Sequence, residues 1–156
     1  MTVTPEAMAA FRAELDGIVQ HDDPKYLEAR SKDYYWYSPI LTELLDGRLG
    51  QVLVQPATEA EVMRVAAASA FHKIPLTVRG GGTGNYGQCV PLEGGAILDI
   101  TRLDRVLEIT PGRVVCEAGA RIGRVEEAVA ETGQMLSMFP STKRLATMGG
   151  FIAGGS

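Results

Sequence analysis

The sequence predicts an α+β fold: a small parallel α/β subdomain followed by a subdomain of antiparallel strands. Three observations predict it. From Gln51 onward, short β-branched runs alternate with one amphipathic helical stretch, the rhythm of a parallel sheet with a crossover helix. Val106-Leu107-Glu108-Ile109 and Val114-Val115-Cys116-Glu117 flank Thr110-Pro111-Gly112-Arg113, the pattern of a hairpin. Glycine is also bunched, with seven of the eighteen between Gly80 and Gly95 and four more between Gly149 and Gly155. With 156 residues, 46% of them hydrophobic, the chain has the size of one ordinary domain and enough apolar material for a core without disulfide or metal staples.

The elements follow in order. Thr4 caps an opening helix with Pro5 at its first position, and Met8, Phe11, Leu15 and Ile18 recur on one face. His21 to Asp33 reads as a polar, acidic stretch. The aromatic run Tyr34-Tyr35-Trp36-Tyr37 then ends at Ser38-Pro39 and reads either as a stacking platform for a flat ring or as a clasp docking the N-terminal segment; with nothing basic beside it, the clasp is the expectation. Residues 1–50 thus form an N-terminal helix and aromatic clasp, ahead of a ligand-binding domain over 51–156. Val52-Leu53-Val54 is a strand buried on both faces, and Thr58-Glu59-Ala60-Glu61 is a capping box. The box opens a helix to about His72 whose inward stripe is Val62, Val65, Ala66 and Ala70, with Pro75 ending it. Leu76-Thr77-Val78 and Ala96-Ile97-Leu98-Asp99-Ile100 are further strands. After the hairpin, Ile122 to Glu131 is the last predicted helix, stopping at Gly133.

Composition removes several functions. The net charge is −4 and no block of Lys or Arg occurs, so nucleic acid is not an expected partner. Cys89 and Cys116 form no C-x-x-C pair, and His21 and His72 lie in unrelated contexts; no metal site is expected, and a reduced, cytoplasmic protein is. Met1 to Asp16 lacks the features of a secretory signal, and no apolar stretch reaches membrane-spanning length.

The chemistry rests on the segment Arg79-Gly80-Gly81-Gly82-Thr83-Gly84-Asn85-Tyr86-Gly87-Gln88. Gly82 to Gly87 fits G-x-G-x-x-G, but the following Cys89-Val90-Pro91-Leu92-Glu93-Gly94-Gly95 cannot form the helix that a Rossmann site requires, and no Gly-Lys-Ser/Thr supports a P-loop. Two readings remain, a plain surface turn and a helix-free anion cradle. In the cradle, successive backbone N–H groups turn toward phosphate oxygens, Thr83 and Asn85 add hydrogen bonds, and Arg79 supplies charge or braces the loop. The second cluster, Pro140-Ser141-Thr142 and Thr147 to Ser156, either meets the first to line one groove with backbone amides or is a helix-packing or terminal segment.

Ile74-Pro75-Leu76-Thr77-Val78-Arg79-Gly80-Gly81-Gly82-Thr83-Gly84, Pro91-Leu92-Glu93-Gly94-Gly95 before a strand, and Thr147-Met148-Gly149-Gly150 together resemble the PCMH-type FAD-binding domain of the vanillyl-alcohol oxidase superfamily, in its branch of glycolate oxidases and D-lactate dehydrogenases. The resemblance covers Gln51 to Ser156. It implies two subdomains with FAD between them: Arg79 to Gln88 on the pyrophosphate, and Pro140, Ser141, Thr147, Gly149, Gly150 and Ala153 along the ribityl and flavin portion. The chain departs from that pattern at Met138-Phe139-Pro140-Ser141, where Pro-Asp-Pro is common before the serine, and at Ala153-Gly154-Gly155, where an asparagine is common. With no histidine in the first loop, it implies non-covalent FAD. It further implies hydride transfer to FAD from a small-molecule substrate such as a 2-hydroxy acid, with catalytic groups in a C-terminal substrate domain that this chain, reading as truncated, lacks. The alternatives from the residues are a non-catalytic assembly module and an NAD-binding domain.

Overall fold

The computed structural model describes residues 3–155. Three helices open the chain by one device, a capping side chain followed by proline at the first helical position. Helix α1 (Pro5–Glu14) is capped by Thr4, whose Oγ1 accepts from Ala7 N–H at 3.2 Å. Asp23 caps α2 (Pro24–Arg30), accepting from Tyr26 N–H at 2.8 Å, and Ser38 caps α3 (Pro39–Leu45). Proline costs nothing there because its missing N–H would have no helical partner. The expected polar stretch His21 to Asp33 is therefore ordered structure: Val19–His21 is a short strand, β1, and α2 follows it.

Strands β2 (Val52–Gln55), β3 (Leu76–Arg79) and β4 (Ala96–Asp99) join β1 in one sheet of order β1-β2-β4-β3. Val52 faces Ala96 and Leu76 faces Ala96 from the other side, so β4 runs parallel to both neighbours, while β1 is antiparallel to β2. Alternation along β2 sends its side chains into two cores. Val52 and Val54 pack with Met8, Phe11, Leu15, Ile18 and Val65, and Leu53 packs with Ile97 and Leu27 of α2. Both faces are covered, as the continuous apolar run requires, and each such side chain contributes roughly 1.5–3 kcal/mol by burial.

Helix α4 (Glu59–His72) crosses from β2 to β3, with Thr58 accepting from Glu61 N–H at 3.2 Å. Its buried stripe is Val65, Ala68 and Ser69; Ala66 and Ala70, expected inward, are exposed because the helix is rotated about its axis toward α1. Lys73 in the left-handed conformation (φ 54°), rather than Pro75, ends it. The second subdomain is the hairpin β5 (Val106–Thr110) and β6 (Arg113–Cys116), turning at Gly112 (φ 76°), with α5 (Ile122–Ala130) packed on it through Val125 and Val129. A further short helix, α6 (Met148–Ala153), follows the helix expected to be last. Gly149 and Gly150 weigh against a helix by propensity, and the Thr147 cap with tertiary contacts overrides that.

Candidate functional site: a cleft between two glycine clusters

The first glycine loop leaves the C-terminal end of β3, and no helix forms between Gly80 and Gly95. Its base is fixed by Arg79, 6% exposed, whose Nη1 donates to the carbonyls of Arg30 (2.9 Å) and Lys32 (2.7 Å) and to Cys89 Sγ (3.1 Å). These bonds tie the loop to the end of α2, and Arg79 is not among the residues that line the cleft. Burial pushes the Cys89 thiol up, the Arg79 charge pulls it down and Asp33 pushes it up, leaving a net rise and a protonated thiol.

The far end of the loop is held by the residues just before and within the aromatic run. Tyr34 N–H donates to Gly84 O at 2.8 Å, and Asp33 Oδ1 accepts from Tyr35 N–H (2.9 Å) and Gly87 N–H (3.3 Å). Between these anchors, among the described residues, the N–H groups of Gly81, Gly82, Thr83, Gly84 and Asn85 donate to nothing in the chain. Five successive amides on a loop with Gly82 at φ 64° are thus donors without an acceptor among the described residues.

The second cluster packs on the first. A Cβ at Gly80 would overlap the Thr147 hydroxyl, and one at Gly81 the Leu145 carbonyl. Residues 143–149 are in turn paired to 118–123: Ile122 N–H donates to Ala146 O (3.0 Å), Met148 N–H to Ala120 O (2.8 Å) and Gly149 N–H to Ala118 O (2.8 Å). Gly150 N–H donates to Thr147 Oγ1 at 3.2 Å. The amides of Met148, Gly149 and Gly150 are thus bonded within the chain, unlike those of Gly81 to Asn85. A Cβ at Gly149 would stand 2.9 Å from Ala118 O, so glycine serves close packing there.

Together the two clusters wall a cleft of about 980 Å³. Gly80, Gly81, Gly82, Thr83, Gly84, Asn85, Tyr86 and Gln88 line one side, and Pro140, Thr147, Gly149, Gly150 and Ala153 the other. Gly87 and Ser141, like Arg79, lie outside the lining. Leu76, Val78, Val90 and Phe151 add apolar surface, and Asp33 lies at the loop end, where no sequence motif pointed to it. The aromatic run divides: Tyr35 is buried, whereas Trp36, 56% exposed, stacks on Tyr37 at 3.9 Å outside the cleft.

Open amides beside a partly apolar cleft at the upper end of small-molecule site volumes suit a long, flat, phosphorylated cofactor, and the two-subdomain frame around the cleft is the PCMH-type FAD-binding fold. Residues 50–156 match the family model described as FAD binding domain; the chain belongs to that family, and FAD is its cofactor. It is 35% identical over 126 residues to a D-2-hydroxyglutarate dehydrogenase of Escherichia coli, covering 74% of this chain and 12% of that protein. It is 32% identical over 103 residues to a D-lactate dehydrogenase of Archaeoglobus fulgidus, covering 65% of this chain and 23% of that one. An alkyldihydroxyacetonephosphate synthase structure superposes with a TM-score of 0.80 at 20% identity over 98% of this chain and 32% of its own, showing a shared fold. The chain spans about a quarter or less of the curated relatives it matches. Among the described residues no helix is long and apolar enough to cross a membrane.

Proposed function

We propose that the chain holds FAD non-covalently in this cleft, as the cofactor-holding part of an oxidoreductase acting on a small 2-hydroxy acid. The run of unpaired amides from Gly81 to Asn85 carries the reading, because a diphosphate supplies the acceptors that these donors lack. Gly80 to Tyr86 and Gln88 surround the diphosphate, with Thr83 and Asn85 adding side-chain hydrogen bonds. Pro140, Thr147, Gly149, Gly150 and Ala153 run along the ribityl and flavin portion. Arg79, Gly87 and Ser141 act from behind the lining. When bound, FAD supplies the redox chemistry by accepting a hydride equivalent, while this chain binds and orients it. A D-lactate dehydrogenase, a D-2-hydroxyglutarate dehydrogenase and a glycolate oxidase among the relatives support a 2-hydroxy acid as substrate. The substrate-orienting and proton-accepting groups belong to a further domain of the kind that the relatives' greater length allows, and the working compartment is the cytoplasm. A first loop without histidine and a Cys89 thiol buried against Arg79 support non-covalent attachment.

Titration with FAD tests the reading. Bound flavin is expected to shift its visible absorbance and change its fluorescence, NAD is expected to do neither, and acid precipitation should release all the flavin into the supernatant. An unperturbed flavin spectrum contradicts FAD binding, and yellow pellets after acid contradict non-covalent attachment.

A further inference from the structure

Asp33 stands ahead of the segment that matches the family model, and it is 4% exposed. Burying a carboxylate is costly unless its oxygens find donors. Oδ1 has two, the N–H groups of Tyr35 and Gly87, whereas Oδ2 is buried without a partner among the described residues. Oδ2 lies directly under the glycine loop: a Cβ built on Gly84 would stand 3.1 Å from it. The next residue, Tyr34, donates its N–H to Gly84 O. Residues 33–35 thus grip the loop at two points three residues apart, Gly84 and Gly87, at the C-terminal end of the open amides. The other end is gripped by Arg79, which bonds the carbonyls of Arg30 and Lys32. Both anchors draw on the stretch from Arg30 to Tyr35.

A loop of five open amides loses conformational freedom on binding a ligand unless something already holds it, and such pre-organisation is expressed as affinity. We propose that Asp33 is a positioning residue for the cofactor: its carboxylate, through Gly87 N–H and together with the neighbouring Tyr34 bond to Gly84, holds the amide nest in its binding geometry. The proposal rests on the reading of the cleft as an FAD site. Oδ2 is buried under the loop, so although Asp33 borders the cleft, its effect on the ligand runs through the backbone amides that it holds. The acceptor Oδ1, rather than the negative charge, carries the effect, so an asparagine side chain can take its place.

The test compares the wild-type protein with Asp33→Asn and Asp33→Ala in two measurements. Hydrogen exchange without FAD reads the grip itself: Gly87 N–H is expected to be protected in wild type and in Asp33→Asn, and to exchange at least tenfold faster in Asp33→Ala. FAD titration reads its consequence: the Kd is expected to rise at least tenfold in Asp33→Ala and to stay within threefold in Asp33→Asn. Unchanged exchange in Asp33→Ala overturns the grip. Faster exchange with unchanged FAD affinity overturns the link to the cofactor. Weak FAD binding by Asp33→Asn with Gly87 still protected overturns the acceptor role in favour of the charge. Should Asp33→Ala fail to fold, Asp33→Ser, whose hydroxyl is one bond shorter than the carboxylate, replaces it in both measurements with the same expected and contrary outcomes. A wild-type protein that ignores FAD while Gly87 exchange still depends on Asp33 refutes the FAD reading, and with it the role assigned to Asp33 in binding, apart from the grip on the loop.

Discussion

The two glycine clusters are alike in composition and opposite in use. In the first, glycine leaves backbone donors open: Gly81 to Asn85 have no acceptors within the described chain. In the second, the donors of Met148, Gly149 and Gly150 are already bonded to Ala120, Ala118 and Thr147, and glycine instead lets α6 sit against Ala118. A glycine run therefore says little about ligand binding until each N–H is accounted for. The clusters also depend on each other, since Gly80 and Gly81 have no room for a side chain because residues 145–147 stand there.

The contrast can be broken most forcefully at Gly81. Gly81→Ala drives a Cβ into the Leu145 carbonyl, a backbone atom that cannot swing aside, and overpacking of this kind costs about 1–3 kcal/mol. The melting temperature should drop, and the FAD Kd should rise at least tenfold because the nest and the second wall are pushed apart. Gly149→Ala, facing Ala118 O at 2.9 Å, should also lower the melting temperature but raise the FAD Kd less than Gly81→Ala does, since Gly149 lines the cleft without offering an open amide to it. If Gly149→Ala weakened FAD as much as Gly81→Ala, the distinction between an open and a closed cluster would fail. Gly150→Ala is milder still: its Cβ would stand 3.0 Å from Thr147 Oγ1, and alanine's helix propensity, worth about 1 kcal/mol over glycine, offsets that crowding. Thermal unfolding should place it within a degree or two of wild type.

The smallest effect lies away from both clusters. Arg105 donates through Nη2 (2.7 Å) and Nε (3.1 Å) to Glu117 Oε1, which holds the Glu117 carboxyl below its ordinary range. Its folded value is thus depressed below an unfolded value of about 4.3, so its contribution is present above that pH and fades as pH falls through the folded value. Because the Arg105 side chain is 70% exposed, solvent weakens the pair. Glu117→Gln should slightly flatten the acid limb of stability below about pH 4.3, read by denaturant midpoints across pH, and leave FAD affinity unchanged.

Much of this was legible in the sequence where one signal dominated. β2, the crossover helix α4 and the hairpin follow from apolar runs, a capping box and a Pro-Gly turn. Helices α2 and α3 carry in Asp23-Pro24 and Ser38-Pro39 the same signal as Thr4-Pro5, but each is only seven residues long and lacks a clear apolar stripe. β1, three residues long, is stabilised by pairing with β2 rather than by its own pattern. At the site, the helix-free loop was readable because many glycines follow a strand and Pro91 with the Gly94-Gly95 pair cannot continue a helix. Asp33 was not readable, since its role comes from a chain crossing that brings it under residues about fifty positions away.

Amide hydrogen exchange with and without FAD separates the open cluster from the closed one residue by residue. The amides of Gly81 to Asn85 should exchange fast in the free protein and become protected when FAD binds, while those of Met148 to Gly150 should be protected in both states. Protection gained at Met148 to Gly150 with none at Gly81 to Asn85 would contradict the account.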